Sequence, residues 1–332
     1  MKKSFILIAL ITVLAAGLFI SCNVDGSEGL YASIESSIAP SGIEIMDFLG
    51  YDSGTETYHF LSKDNMIYTS KNKNTTPFAK AKGYHITGAT LYGDYYYFIT
   101  STLDSTATDG KVYKVKTDGS SNPEEVTGIL SGNWRGLSGN GYLRKDDKAI
   151  YLKNSTPVEI NASISYPYFS GDSMLIMSSS TTATIYYRGN VKYTVSGFDS
   201  DKRAVGLVEV NNGEEYVVFY NSKAYRVNGN VTLSDSNKIA DSLDSPPDKS
   251  DGYVGTQYSS NGIIFKSNSR LYLINYNATG KEDYTNSFSS LKSAQIITMT
   301  CPNLDSKVLV VTLGIGIRVA NISTRELSDD LI

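Results

Sequence analysis

Cysteine, histidine and tryptophan are nearly missing from this chain, with two, two and one among 332 residues. Two cysteines, Cys22 and Cys301, allow one disulfide at most. The histidines, His59 and His85, fall in separate strand-like segments, so their spacing supports neither a metal site nor general-base catalysis, and satisfied strand histidines are the plainer reading. Prolines number only eight. No long stretch carries a helical period, so the crossover segments of about a dozen residues that a parallel α/β sheet requires are absent. Positive charge is also short: 30 Lys and Arg stand against 34 Asp and Glu, with no basic run. That leaves no electrostatic footprint for nucleic acid.

What is present begins at the N-terminus. Lys2 and Lys3 are followed by no charged residue until Asp25, and Phe5 to Ile20 is almost wholly apolar. A basic start, an apolar stretch and a small residue before a cut describe a secretory signal. A spanning helix is the competing reading, because the run nearly reaches the roughly 18–20 residues a bilayer needs. Cys22 directly after the small Ser21 argues against it. Phe19-Ile20-Ser21-Cys22 resembles the lipobox of bacterial lipoproteins, in the relaxed form found in spirochaetes. The resemblance implies removal of residues 1–21 and lipid attachment at Cys22, through a thioether-linked diacylglycerol and an N-acyl chain. Two or more buried chains hold a protein on its membrane where one does not. It also implies a cell-envelope location. Asn23, in place of an aspartate after the lipidated cysteine, leans toward the outer rather than the inner membrane. Residues 22–40 are then a tether and 41–332 the folded domain. Loss of the leader removes two lysines and no acid, taking the formal charge from −4 to −6.

With Cys22 acylated, Cys301 has no partner in its own chain. It ends the strand-like run Ile296–Cys301, which reads as a buried structural position. The 25 tyrosines, with the valines, isoleucines and threonines, favour strands.

A two-strand signature recurs along the folded part: an apolar run, a polar gap, then a short strand centred on tyrosine. Tyr58–Leu61 precedes Tyr68, and Tyr95–Ile99 precedes Tyr113. The later centres are Tyr151, Tyr186, Tyr225 and Tyr272, with Arg318 in the tyrosine position of the last unit. The spacings of 45, 38, 35, 39, 47 and 46 residues match the roughly 40–50 residues of a four-stranded propeller blade. The expected fold is therefore all-β: a β-propeller of seven four-stranded blades, with six or eight blades and two packed sandwiches as the alternatives. In the second unit, the missing strands are expected near Thr87–Tyr92 and Glu124–Thr127. Turn formers such as Gly93-Asp94, Gly139-Asn140 and Gly171-Asp172 fill the gaps. Leu30–Ile34 is expected to close the ring as the outer strand of the seventh blade. Gly93–Phe98 together with Asp109–Gly119 resembles YWTD-like propeller repeats, a class of six blades; this bears on architecture alone.

Motifs of catalysis are not found. The chain has no sialidase-type aspartate box, Gly-x-Ser-x-Gly elbow, His-Glu-x-x-His or phosphate-binding glycine loop. No catalytic residue, metal site or cofactor is assigned. Asp241, Asp244, Asp248 and Asp251 surround Pro246-Pro247 without calcium-loop spacing, and read as a solvated loop. Trp134-Arg135, the only tryptophan beside an arginine, has two readings: a wedge between blades, or a partner-binding pair where a loop leads into the third blade. The function expected is that of a membrane-anchored, non-enzymatic scaffold docking another envelope protein. The alternative is a binder or hydrolase of glycans or small ligands at the central mouth, which carboxylates or aromatics in the channel would favour.

Overall fold

The structure is a computed structural model describing residues 43–100, 110–131, 134–145, 147–164, 167–199, 206–244, 253–313 and 316–328. The expected signal segment, Cys22 and Leu30–Ile34 lie outside those residues. Seven separate antiparallel sheets follow one another along the chain, spanning residues 45–77, 86–125, 136–161, 168–196, 206–240, 254–283 and 296–327. These are blades 1 to 7. In each, four strands are hydrogen-bonded in meander order; blade 4 carries a fifth, Val231–Thr232, which runs parallel to Asn190–Ser196 and comes from the chain of blade 5. The seven marker positions all fall on the third strand of a blade, and the apolar runs before them on the second. The strands expected around the second hairpin are present as Ile86–Tyr92 and Glu124–Glu125.

The strands are apolar on nearly every residue because each blade has two buried faces. In the second strand of blade 2, Tyr96 and Phe98 pack toward blade 1, while Tyr97 and Ile99 pack toward blade 3. Blade 5 divides the same way: Tyr216, Val218 and Tyr220 join blade 4, and Val217 and Phe219 join blade 6. This is the two-residue strand period, with the core on both sides. Among the described residues there is one hydrophobic cluster for each pair of neighbouring blades. Each fully buried Val, Ile, Leu or Phe contributes roughly 1.5–3 kcal/mol, so no single blade could stand alone while the ring can.

Ring closure differs from the expectation. The outer strand of blade 7 is Glu326–Leu327, so the place assigned to Leu30–Ile34 is filled from the C-terminal side. The two ends of the ring meet face to face instead. Ile45, Phe60 and Tyr68 of blade 1 pack against Leu309, Val311 and Ile317 of blade 7. Burial of apolar area joins the ends, without a shared strand among the described residues.

Candidate binding site at the channel mouth

The first strands of the blades surround the ring axis, and a cavity of about 750 Å³ opens there. Its wall carries more charge than the axis of an apolar ring should. Asp47 lies on the first strand of blade 1, Lys153 follows the third strand of blade 3, Asp172 turns the first hairpin of blade 4, and Glu209 lies on the first strand of blade 5.

These groups are joined by a continuous arc of contacts. Blade 3 has a first strand of only two residues, Gly136–Leu137, after which the chain folds into the channel. There Gly139 approaches blade 1 so closely that a Cβ would stand 2.1 Å from the Phe48 carbonyl oxygen. Only glycine fits. Its N–H donates to Asp47 Oδ2 at 2.7 Å, and its carbonyl accepts from Thr90 Oγ1 at 2.9 Å. The next residue continues the arc, as Asn140 Nδ2 donates to the Gly171 carbonyl at 2.7 Å. Gly171 has φ +54° and lies against the Glu209 carboxylate, where a Cβ would be 2.7 Å from Oε2. Glu209 Oε2 accepts from the Asp172 N–H at 2.9 Å and from Ser173 Oγ at 2.7 Å, fastening blade 5 to blade 4. Ser173 is fully buried and does not line the cavity, so its hydroxyl serves as a staple between blades while Glu209 lies on the cavity wall.

Burial dominates the electrostatics. It pushes Asp47 up to about 6, against the Gly139 N–H and the pull of Lys153 and Arg144. It pushes Glu209 up to about 7, opposed first by the Ser173 hydroxyl. Lys153 is pulled down by burial, in part offset by Asp172 and Asp47. Asp172 is paired, accepting from Arg188 Nε at 3.0 Å. Lys153 is not: no hydrogen bond or ion pair to a described residue closes on its ammonium. Behind it, the Arg144 guanidinium stands 5.8 Å from the ring centre of Phe169, a residue of the cavity wall. A partly enclosed, mixed-charge cavity lined with aromatic rings can hold a polar ligand by several groups at once. Among the described residues there is no cluster of three or more His, Cys, Asp and Glu fit to hold a metal.

Trp134 takes the wedge reading. It is 2% exposed, packs with Leu137, Leu143 and Ile150 between blades 2 and 3, and donates its indole N–H to the Leu130 carbonyl at 2.8 Å. Lys145 caps the ring at 4.4 Å, so the indole presents no face to a partner. Arg135 beside it is exposed. His59 is a satisfied strand histidine, its Nδ1 2.6 Å from the Tyr96 hydroxyl. Cys301 is buried in the cavity wall, where burial pushes its thiol up and so favours the un-ionised, weakly nucleophilic form. Asp244 pairs with Arg270 at 3.1 Å and Asp241 with Lys238 at 3.4 Å, each part of a surface pair; Asp248 and Asp251 lie outside the described residues.

The charged arc itself escapes motif searching, since its members are spread from residue 47 to 209. One signal was available. Asp47 and Glu209 are each the lone charge within an apolar first strand, Ile45–Asp52 before its terminal aspartate and Gly206–Val210.

The chain is thus a seven-bladed β-propeller with a charged central mouth. No protein-family model and no curated protein matches it. Solved propellers do. Hsv2 from Kluyvelomyces marxianus aligns at TM-score 0.53 and 8% identity, covering 87% of this chain and 99% of that one. The C-terminal WD40 domain of Sif2 aligns at 0.51 and 8% identity, covering 85% and 82%. BamB from Moraxella catarrhalis aligns at 0.44 and 10% identity over 80% of this chain and 82% of its own, too distant a likeness to argue from. At these identities the likeness concerns the fold alone.

Proposed function

We propose that this protein is an envelope lipoprotein, tethered through Cys22, whose propeller works by binding and not by catalysis, with the central mouth as the binding end. The observation carrying this reading is the hydrogen-bonded arc from Asp47 through Gly139, Asn140 and Gly171 to Glu209, which spends four blades on placing charge around one cavity. Away from the mouth the described surface offers less: its exposed large apolar side chains are Ile129 and Val191. A protein partner would therefore bring a polar segment to the mouth. The size of the cavity supports a second reading, a small ligand held there without a protein partner.

Two measurements test the proposal. Cys22→Ser should move the protein from the membrane to the soluble fraction and abolish labelling by a fatty-acid probe; unchanged membrane retention would contradict the tether. For the binding end, a photoreactive residue is placed at Leu304, exposed at the mouth, or at Val191, exposed on the fourth strand of blade 4. Adducts on intact cells should form at 304 and not at 191, and their mass separates a protein partner from a small ligand. Adducts confined to 191 would place the binding surface on the rim and end the reading.

A further inference from the structure

Opposite charges face each other at the mouth without touching. Lys153 feels the Asp47 and Asp172 carboxylates, yet no ion pair closes between its ammonium and either one. Both sides of the gap are held by the same turn. The Lys153 stem lies over Gly141, where a Cβ would meet its Cγ at 2.8 Å, and Asp47 is fixed two residues earlier by the Gly139 N–H. Asp172 is already occupied by Arg188, and of the two cations that act on Asp47, Lys153 and Arg144, only Lys153 lines the cavity, which leaves Asp47 and Lys153 as the open pair there. A buried charge without a contacting counter-charge is costly unless solvent or a ligand completes it.

We propose that this gap is the subsite for a small zwitterion, a molecule whose carboxylate lies on Lys153 and whose ammonium lies on Asp47. A lone cation or a lone anion would complete one side and leave the other unmatched. The cavity of about 750 Å³ exceeds the needs of a single amino acid and suits a short peptide with both ends free. Phe48 and Phe169 on its wall offer apolar contact for the side chains. The ligand is recognised by its two termini, so the site reads length more than sequence. This inference rests on the mouth being the binding end, and deepens that reading by naming what is bound.

The test uses the full mature chain in detergent, titrated calorimetrically with Ala-Ala, N-acetyl-Ala-Ala, Ala-Ala amide and free alanine. Ala-Ala should bind most tightly, and blocking either terminus should weaken binding by about tenfold or more, the scale of a lost charge-assisted contact. Lys153→Met, which replaces a partly buried charge by an apolar chain of similar length, should remove the difference between Ala-Ala and its amide. Asp47→Asn should remove the difference between Ala-Ala and its acetylated form. Circular dichroism of both variants checks that the ring is intact. Equal binding of free and blocked peptides, no binding of Ala-Ala at 10 mM (about the weakest affinity worth calling a site), or an unchanged preference in intact Lys153→Met would overturn the proposal. If position 304 still forms adducts when the peptides fail, the mouth remains the binding end and only the zwitterion is lost.

Discussion

Blades 3 and 6 are built from the same plan and spend it differently. Blade 6 has central strands of six residues each, and all of Gly262–Ser267 is buried. Blade 3 has strands of two, three, four and four residues. The short first strand is what frees residues 138–140 to fold into the channel and build the arc. The missing apolar area is made up by Trp134, which fills the side facing blade 2. Blade 6 therefore serves the ring, and blade 3 gives up packing for the charged arc. Functional sites commonly break local rules that the rest of a fold obeys.

The comparison predicts a graded series of effects on unfolding, read by chemical denaturation. Trp134→Ala should cost the most, about 3–5 kcal/mol, because one side chain carries much of the interface between blades 2 and 3. Gly139→Ala should follow at about 1–3 kcal/mol, since the new Cβ would strike backbone that cannot rotate away. Ile263→Val in blade 6 should cost only about 0.5–1.5 kcal/mol, its neighbours being many and large. Lys192→Met, breaking an exposed pair with Glu214 at 3.1 Å, should change stability by about 1 kcal/mol or less. If Trp134→Ala proved as mild as Ile263→Val, the contrast between the blades would fail.

A pH series sharpens the same contrast at the staple between blades 4 and 5. Glu209 titrates near 7 in the fold against 4.5 as an ordinary glutamate, so the folded state holds its proton more tightly than the unfolded chain. Its ionisation therefore weakens the fold as pH rises through about 7, and the fold recovers as pH falls toward 5. Glu209→Gln, which keeps an acceptor for Ser173 and the Asp172 N–H, should flatten that part of the profile and raise the unfolding midpoint at pH 8 by a few degrees. A wild-type profile that is already flat between pH 5 and 8 would remove this role.

Much of the ring was legible in the sequence because hydrophobic periodicity reports burial directly. All seven marker positions lie on third strands, Arg318 included, since the repeat reflects one structural demand met seven times. The arc was not legible, because it depends on which turns face one axis. Gly139-Asn140 and Gly171-Asp172 were readable as turn formers, but the need for glycine at 139 comes from a neighbouring backbone two blades away. Short outer strands such as Glu282–Asp283 leave almost no pattern to read. Ring closure was hard to read for a related reason: among the described residues apolar faces join blades 1 and 7, and no sequence signal distinguishes that from an exchanged strand.

The proposed binding end requires that the charge at the mouth hold a ligand. An experimental structure of the protein purified in mild detergent from the cells that make it tests this most directly. The expected result is a bound group in the central cavity in contact with both Lys153 and Asp47. A cavity holding only water, with the Lys153 ammonium closed directly onto Asp47, would contradict it.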